Sequence, residues 1–302
     1  MNEQADSQRV VVGLDGSGDS RLALRWALDE AQSSGMAVHL VHCHHVARGA
    51  AGRGPAAWGS RLLDEGLGLC REFPEVRATA EVVDTHDPSP AASLLAASEA
   101  ADILVVGCRG HRSPVGIRWG SVSEHLSRYA TCPVVTVRPP NDAADTRVVL
   151  GLALPEPTEG ALAYAFEYAS HHGVGLTAIN VWREHGASGS GPVYPGEHYI
   201  ALEPSCHLGA LNDVLEPWRA KFPDVMVTAE SVGGHAASVL RYASEHAALH
   251  VVGRPEGGGI SHLLGSISQS MLHHAQCPVA VVGLNTSAVR SSAPAPQPVS
   301  DL

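Results

Sequence analysis

The 302-residue sequence predicts an α/β protein built from two tandem, similar domains, each a parallel sheet with helices on both faces. Three observations lead there. The chain is about twice as long as a typical single domain of roughly 150 residues. Its two halves repeat: Val10-Val11-Val12-Gly13-Leu14 returns as Val148-Val149-Leu150-Gly151-Leu152, and Ala130-Thr131-Cys132-Pro133-Val134-Val135 returns as Ala275-Gln276-Cys277-Pro278-Val279-Ala280. Between these anchors, Phe73-Pro74-Glu75-Val76 matches Phe222-Pro223-Asp224-Val225 and Val105-Val106-Gly107 matches Val251-Val252-Gly253, in the same order. Short apolar runs also alternate with stretches of helical spacing along each half.

The elements follow in turn. Val10 to Leu14 is a continuous apolar run, the pattern of a strand covered on both faces. Ser17 to Ser20 offers cap residues, after which Leu24, Ala27, Leu28 and Ala31 recur at helical spacing until Gly35 ends the helix. A strand is expected over 37–43, another over 78–83, a helix over 91–100, a strand over 103–106, a helix after Gly120 and a last strand over 134–137. Residues 44–60 and 185–205, rich in Gly, Ala, Ser and Pro, read as mobile loops after the second strand of each half. The polar, proline-containing stretch 138–145 is the joint. The first domain is therefore expected over 1–140, the second over 146–284, and a disordered Pro-rich tail over 285–302.

Composition narrows the function classes. With 44% hydrophobic and 17% charged residues, most of the chain is expected to fold. The 20 Lys+Arg against 31 Asp+Glu leave a formal charge of -11, which repels a polyanion and argues against nucleic-acid binding. No signal-peptide pattern or membrane-length apolar run is visible. The six cysteines, at 43, 70, 108, 132, 206 and 277, form no CxxC pair, so a reducing cytoplasm is the expected setting.

Chemistry concentrates at glycines. The predicted strand ending at Val106 runs into Gly107-Cys108-Arg109-Gly110, and nine residues later Gly120-Ser121-Val122-Ser123 opens a helix. Bare glycines let backbone amides approach a phosphate, and a helix N-terminus adds unpaired donors with partial positive charge. Ser121 and Ser123 add hydroxyls, and Arg109 adds a cation beside the same loop. Open parallel sheets bind ligands beyond the carboxyl ends of their strands, where this pattern falls. Asp15, in Gly13-Leu14-Asp15-Gly16-Ser17 at the end of the first strand, is placed to meet a ribose or hold Mg²⁺. Plain readings stand beside these: the glycines as strand and helix terminators, Asp15 as a helix cap.

Val11 to Ser17, the Leu40-Val41-His42-Cys43 strand end, the Gly107 to Ser123 pattern and Thr131-Cys132-Pro133-Val134-Val135 together resemble the universal stress protein family in its tandem form. The resemblance implies Rossmann-like domains with a five-stranded parallel sheet of order 3-2-1-4-5 and, in one branch, ATP held with Mg²⁺. It implies that Gly13 and Asp15 line the base, ribose and metal side, and that the Cys43 backbone meets the adenine edge. Val106, Gly107 and Gly110 would approach the ribose and phosphates; Gly120, Ser121, Val122 and Ser123 would close around the phosphates. It also suggests that the halves pair through their last strands as an intramolecular pseudo-dimer, with association of two chains left open.

The second half departs from this pattern. Ala153 stands for Asp15, Pro155 for Ser17 and Glu256 for Gly110, and a carboxylate at the last position would repel phosphates. One competent nucleotide site is expected, in the first half.

Other features take plain readings. Adjacent strand residues point to opposite faces, so His42, Cys43, His44 and His45 cannot converge on one metal. Cys132 and Cys277 read as small packing residues; Trp26, Tyr164 and Phe166 read as packing on the first helices. The functional expectation is an ATP-binding regulatory module of the stress response acting on an unidentified protein partner, with at most slow hydrolysis. Two other classes stay open, an adenylating enzyme and a nucleotide-free scaffold.

Overall fold

A computed structural model of the chain describes residues 8–46, 54–85, 89–110, 120–139, 147–155, 157–182, 204–254 and 264–283. The first half runs β1 (Arg9–Gly13), α1 (Gly18–Ser34), β2 (Ala37–His45), α2 (Gly54–Cys70), β3 (Ala78–Thr85), α3 (Ala91–Ser98), β4 (Ile103–Gly107), α4 (Ser121–Tyr129) and β5 (Val134–Val137). The second runs β6 (Arg147–Leu152), α5 (Glu159–His172), β7 (Gly175–Trp182), α6 (Pro204–Lys221), β8 (Val227–Gly233), α7 (Ala236–Ala243), β9 (Leu249–Gly253), α8 (Ser266–His274) and β10 (Val279–Val282).

Each half is a parallel sheet of the expected order, β3-β2-β1-β4-β5 and β8-β7-β6-β9-β10. The two meet where β5 pairs antiparallel with β10, Val135 opposite Ala280, so one ten-stranded sheet runs through the molecule. The strands at its centre are short apolar runs because both faces are covered: Val10, Val11 and Val12 of β1 are fully buried. Val10 and Val12 join one core with α1, whereas the intervening Val11 joins another with Leu94 of α3 and Leu126 of α4. The first of these cores continues into the second half through Phe166, Leu176 and Leu211. Each fully buried Leu or Phe contributes about 1.5–3 kcal/mol of transfer free energy to that layer.

Helix α1 shows how local sequence sets an element. Ser17 caps it by accepting the Ser20 amide at 3.1 Å, and Leu24, Ala27 and Leu28 are buried along one face. Gly35 ends it in the left-handed region at φ 76°, its amide reaching the Ala31 carbonyl at 2.9 Å.

One expectation is corrected. The stretch 44–60 is not all loop: β2 extends to His45, and α2 already begins at Gly54. Gly59, one of the glycines that suggested a loop, is a packing position, as is Gly66 further along the helix. A Cβ on Gly59 would lie 2.7 Å from His42 Cδ2, and one on Gly66 would lie 3.0 Å from Leu40 Cδ1. Helix α6 likewise starts at Pro204, inside the second expected loop. Residues 185–203 of that loop, 140–145 of the joint and the tail 285–302 lie outside the described residues.

Two features of this topology position the site. Strand β1 pairs with β2 on one side and with β4 on the other, Val12 lying opposite both Leu40 and Val105. Helix α1, which follows β1, packs on one face of the sheet and α4, which follows β4, on the other, the arrangement that leaves a crevice at the carboxyl ends of those strands.

Candidate functional site

At the end of β1 the Leu14 amide still bonds the Val41 carbonyl, at 2.9 Å, and the Leu14 carbonyl accepts the buried His42 Nδ1–H at 2.7 Å. The chain then turns through Gly16 at φ 81°. Asp15 Oδ1 accepts both the Ser17 amide at 3.0 Å and the Ser17 hydroxyl at 2.6 Å, while Ser17 Oγ accepts the Ser20 amide. Asp15 is thereby fixed as a half-buried carboxylate just ahead of α1.

The loop after β4 closes against it. Gly107 carries no side chain because α1 runs alongside: a Cβ there would sit 2.7 Å from the Asp19 backbone carbon. Arg109 grips the Asp19 carboxylate with both arms of its fork, Nε at 2.9 Å and an Nη at 3.3 Å, and Cys108 Sγ donates to the same carboxylate at 3.1 Å. Burial alone would raise the Asp19 pKa; the hydrogen bonds from Arg109 and Cys108, with the Arg109 charge, hold it below its ordinary value. Burial, reinforced by Asp19, pushes the Cys108 thiol up to about 11, so it stays protonated at neutral pH.

Gly110 and Gly120 complete the crevice. The Gly120 amide bonds the Cys108 carbonyl at 2.7 Å, tying the start of α4 to the end of β4. A Cβ on Gly120 would lie 3.6 Å from the Cys108 carbonyl oxygen, 3.9 Å from the Gly110 nitrogen and 4.0 Å from the Val122 nitrogen, so backbone atoms of both kinds border its bare side. A Cβ on Gly110 would lie 2.9 Å from Asp15 Oδ2. Gly120 provides no side-chain cap, and helix geometry leaves the first amides of α4 without intrahelical acceptors. The assembly is a main-chain cradle at a helix N-terminus, with the Cys108 carbonyl on one side and one carboxylate on its rim, an arrangement able to take an anion accompanied by a cation.

The sequence-derived residues fall into two groups. Asp15, Gly110, Gly120 and the first turn of α4 surround the cradle, Ser121 exposed and Ser123 buried with its hydroxyl donating to the Gly120 carbonyl at 2.9 Å. Gly107 and Arg109 brace the loop against α1. Gly13 and Val106 face the other side, where a Cβ on Gly13 would lie 3.2 Å from both Leu94 and Val106, and Val122 packs against the same core. Cys43 stands at the end of β2 with its thiol toward the Pro90 carbonyl at 3.7 Å, pushed up to about 11 by burial. Residues 111–119 of the glycine pattern lie outside the described residues.

Two side chains went unassigned in the sequence. Asp19 anchors Arg109; its position in the first helical turn was the available signal. Trp58 is 47% exposed and lays its ring edge 3.1 Å from where a Gly16 Cβ would be, with His42 at a ring-centroid distance of 5.2 Å. The Gly/Ala-rich reading of its surroundings concealed it.

The second half repeats the scaffold without the rim. A Cβ on Gly151 would meet Leu240 as one on Gly13 meets Leu94, and one on Gly253 would collide with Thr158, the N-cap of α5, as one on Gly107 does with Asp19 of α1. Asn180 Nδ2 donates to the Leu152 carbonyl at 3.0 Å, as His42 does to Leu14. Ala153 follows Leu152 where Asp15 follows Leu14, while Glu256 lies outside the described residues.

Among the described residues no cluster of three or more His, Cys, Asp or Glu is arranged to hold a metal ion, and no helix is long and apolar enough to cross a membrane. His44 meets Asp84 at 2.9 Å, apart from His42 on Leu14.

A sequence-family model described as the universal stress protein family matches residues 7–138 and again 146–283. Among curated proteins, a universal stress protein of Mycobacterium tuberculosis is 30% identical over 304 residues, covering 93% of this chain and 98% of that one. One from Mycolicibacterium smegmatis is 31% identical over 297 residues, covering 93% and 99%. A universal stress protein structure from Archaeoglobus fulgidus superposes with a TM-score of 0.67 over 92% of this chain and 96% of that one, at 19% identity, a likeness of fold.

Proposed function

The chain belongs to the universal stress protein family, and from that premise we propose that its first half binds ATP with Mg²⁺ and serves as a nucleotide-responsive regulatory module for a protein partner. The observation that carries the reading is the start of α4, where Gly120 leaves its side bare and the first helical amides lack intrahelical acceptors, with the Asp15 carboxylate close by across Gly110. Those amides suit phosphate oxygens; Asp15 alone would repel them. Bound Mg²⁺ supplies the charge that reconciles the two, and Asp15 is the residue that would hold it, since Mg²⁺ commonly takes one or two carboxylates and completes its shell with phosphates and water. Arg109 keeps the loop in place through Asp19, and Ser17 keeps Asp15 aimed.

Occupancy rather than turnover is the proposed signal. The hydroxyl on a carboxylate at the cradle is that of Ser17, and it donates to Asp15, the residue proposed to hold the metal, so the pair is assigned to aiming that carboxylate rather than to phosphoryl transfer beyond slow hydrolysis. The second half, with Ala153 in place of Asp15, is proposed to be silent toward MgATP.

Calorimetric titration of MgATP into the full chain tests this. One nucleotide per chain is expected, with affinity weakened at least about tenfold, or about 1.4 kcal/mol, in Asp15→Ala. No binding is expected in Gly110→Glu, which puts a carboxylate on the cradle. Absence of binding to the wild type, or equal binding to all three proteins while melting curves show them folded, would overturn the reading. Release of AMP and pyrophosphate would point to an adenylating enzyme instead.

A further inference from the structure

Helix α4 is held at its two ends by different halves of the molecule. Its first amides border the cradle, and its last carbonyls meet the second half: Arg254, just beyond β9, donates from Nη1 to the Ser127, Arg128 and Ala130 carbonyls at 3.3, 3.0 and 3.1 Å. The Arg254 main chain is itself fixed, its amide bonding the Val282 carbonyl of β10 at 2.7 Å. Nearer the cradle, Gln269 Nε2 of α8 reaches Glu124 Oε1 at 3.3 Å, the oxygen that also accepts from Arg128 at 3.2 Å. Two side chains of the second half therefore grip the helix whose other end forms the site.

That grip matters because α4 is short and lightly packed. It has nine residues, of which Ser123, Leu126 and Ser127 are buried, so a single large apolar side chain is fully covered. Helices below about 12–15 residues are marginal without tertiary support. An anion at the N-terminus and a cation at the C-terminus each favour the formed helix, so a phosphate in the cradle and the Arg254 guanidinium reinforce one another. The repeat shows that this brace is particular to the second half: Arg254 stands where the first half has Cys108, and Gly283 where it has Arg138. A Cβ on Gly283 would lie 2.7 Å from Arg254 Nη2, so the second half is bare where the guanidinium passes.

We propose that the second half, which has Ala153 in place of Asp15, sets the nucleotide affinity of the first through α4, with Arg254 as the positioning residue; the inference rests on the MgATP reading above. Arg254 acts at the far end of the helix from the phosphates. It fixes the C-terminal turn, so that the amides of the first turn stay helical and aimed at the cradle. Such coupling is reciprocal: as the bonds to Arg254 tighten nucleotide binding, nucleotide binding tightens the bonds to Arg254, and occupancy of the first half is felt at β9 and β10. Arg138 is arranged in the same way but ends on the Met271 and Leu272 carbonyls of α8, away from the cradle helix, which makes it the internal control.

Calorimetric titration of MgATP into the full chain, together with hydrogen exchange of the free and saturated protein, tests this. In Arg254→Met the affinity falls about tenfold. Arg254→Lys, which restores the charge but not the planar fork, recovers part of the loss, and Arg138→Met stays near the wild-type value. MgATP slows amide exchange over β9 and β10 of the wild type, and that protection is absent from saturated Arg254→Met. Wild-type affinity in Arg254→Met, an equal loss in Arg138→Met, or unchanged second-half exchange in the saturated wild type would overturn the inference and leave the MgATP reading intact. Failure of the wild type to bind MgATP would overturn both. Should Arg254→Met not fold, Arg254→Lys and the wild-type exchange decide the matter.

Discussion

His250 is the clearest single-residue departure from the repeat. It lies fully buried in β9, neither ring nitrogen has a hydrogen-bond partner among the described residues, and the equivalent position of the first half is Leu104, also fully buried. Burial without a partner favours the neutral ring and lowers its pKa from 6.5 to about 4. The unfolded chain takes up a proton below pH 6.5, while the folded chain resists until about pH 4. Stability is thus fully present above pH 6.5, falls as the pH drops, and loses up to about 3 kcal/mol from this residue by pH 4. Replacing it as the first half does, His250→Leu, should flatten that part of the profile, leaving the variant about 2 kcal/mol better off relative to wild type at pH 5 than at pH 7. Urea denaturation at the two pH values measures the difference. An unchanged difference would mean that the imidazole is solvated in the folded state.

At the scale of elements, α2 makes a paired prediction. Gly59 and Gly68 share this helix, and intrinsic propensity alone favours Ala over Gly by about 1 kcal/mol at either. Gly68 has nothing within 4 Å of its Cβ direction, so Gly68→Ala should stabilise the protein by about 0.5–1 kcal/mol. A Cβ on Gly59 would lie 2.7 Å from the His42 ring, and that ring is held by the Leu14 carbonyl, so Gly59→Ala should destabilise by about 1–3 kcal/mol. Thermal melts of both variants decide the point; equal stabilisation would mean that α2 stands off β2. The same residues explain what could be read in advance. The apolar runs of β1, β4 and β5 announced themselves because burial on both faces leaves little choice of residue, and the repeat made their order in one half a check on the other. Helix α2 was hidden because close approach to β2 demands glycines, and glycines on a sequence look like a loop. For the candidate site, the glycine spacing pointed to Gly110 and Gly120, the end of the first strand pointed to Asp15, and the family resemblance pointed to all three. The contacts of Gly13 with Leu94 and of Gly107 with Asp19 were not legible, because a glycine that admits a neighbouring side chain or helix looks the same in sequence as one that admits a ligand.

Across the whole molecule, the seam between β5 and β10 is locked by two arginines acting in opposite directions. Arg138, buried just beyond β5, donates to the Met271 and Leu272 carbonyls of α8 in the other half. Arg254, just beyond β9, donates to the Ser127, Arg128 and Ala130 carbonyls at the end of α4, at 3.3, 3.0 and 3.1 Å. Each bonds carbonyls in the last turn of a helix, among them that of Leu272 and those of Ser127 and Arg128, and each places a cation at the negative end of the helix dipole. Side-chain contacts cross elsewhere too: Gln269 Nε2 reaches Glu124 at 3.3 Å, and Trp26 stacks on Tyr168 at 6.0 Å. Hydrogen bonds to charged donors contribute about 1.5–3 kcal/mol, so Arg254→Ala should cost about 2 kcal/mol. Arg138→Met should cost less, because burial opposes its charge and lowers its pKa, and a methionine fills much of the same volume. Removing both should weaken the seam before it weakens either half's own core. Calorimetric unfolding then changes character, from one transition in the wild type to two in the double variant as the halves melt separately. A double variant that still melts in one transition, with a cost equal to the sum of the single changes, would place the coupling in the β5–β10 ladder and the shared core beneath it.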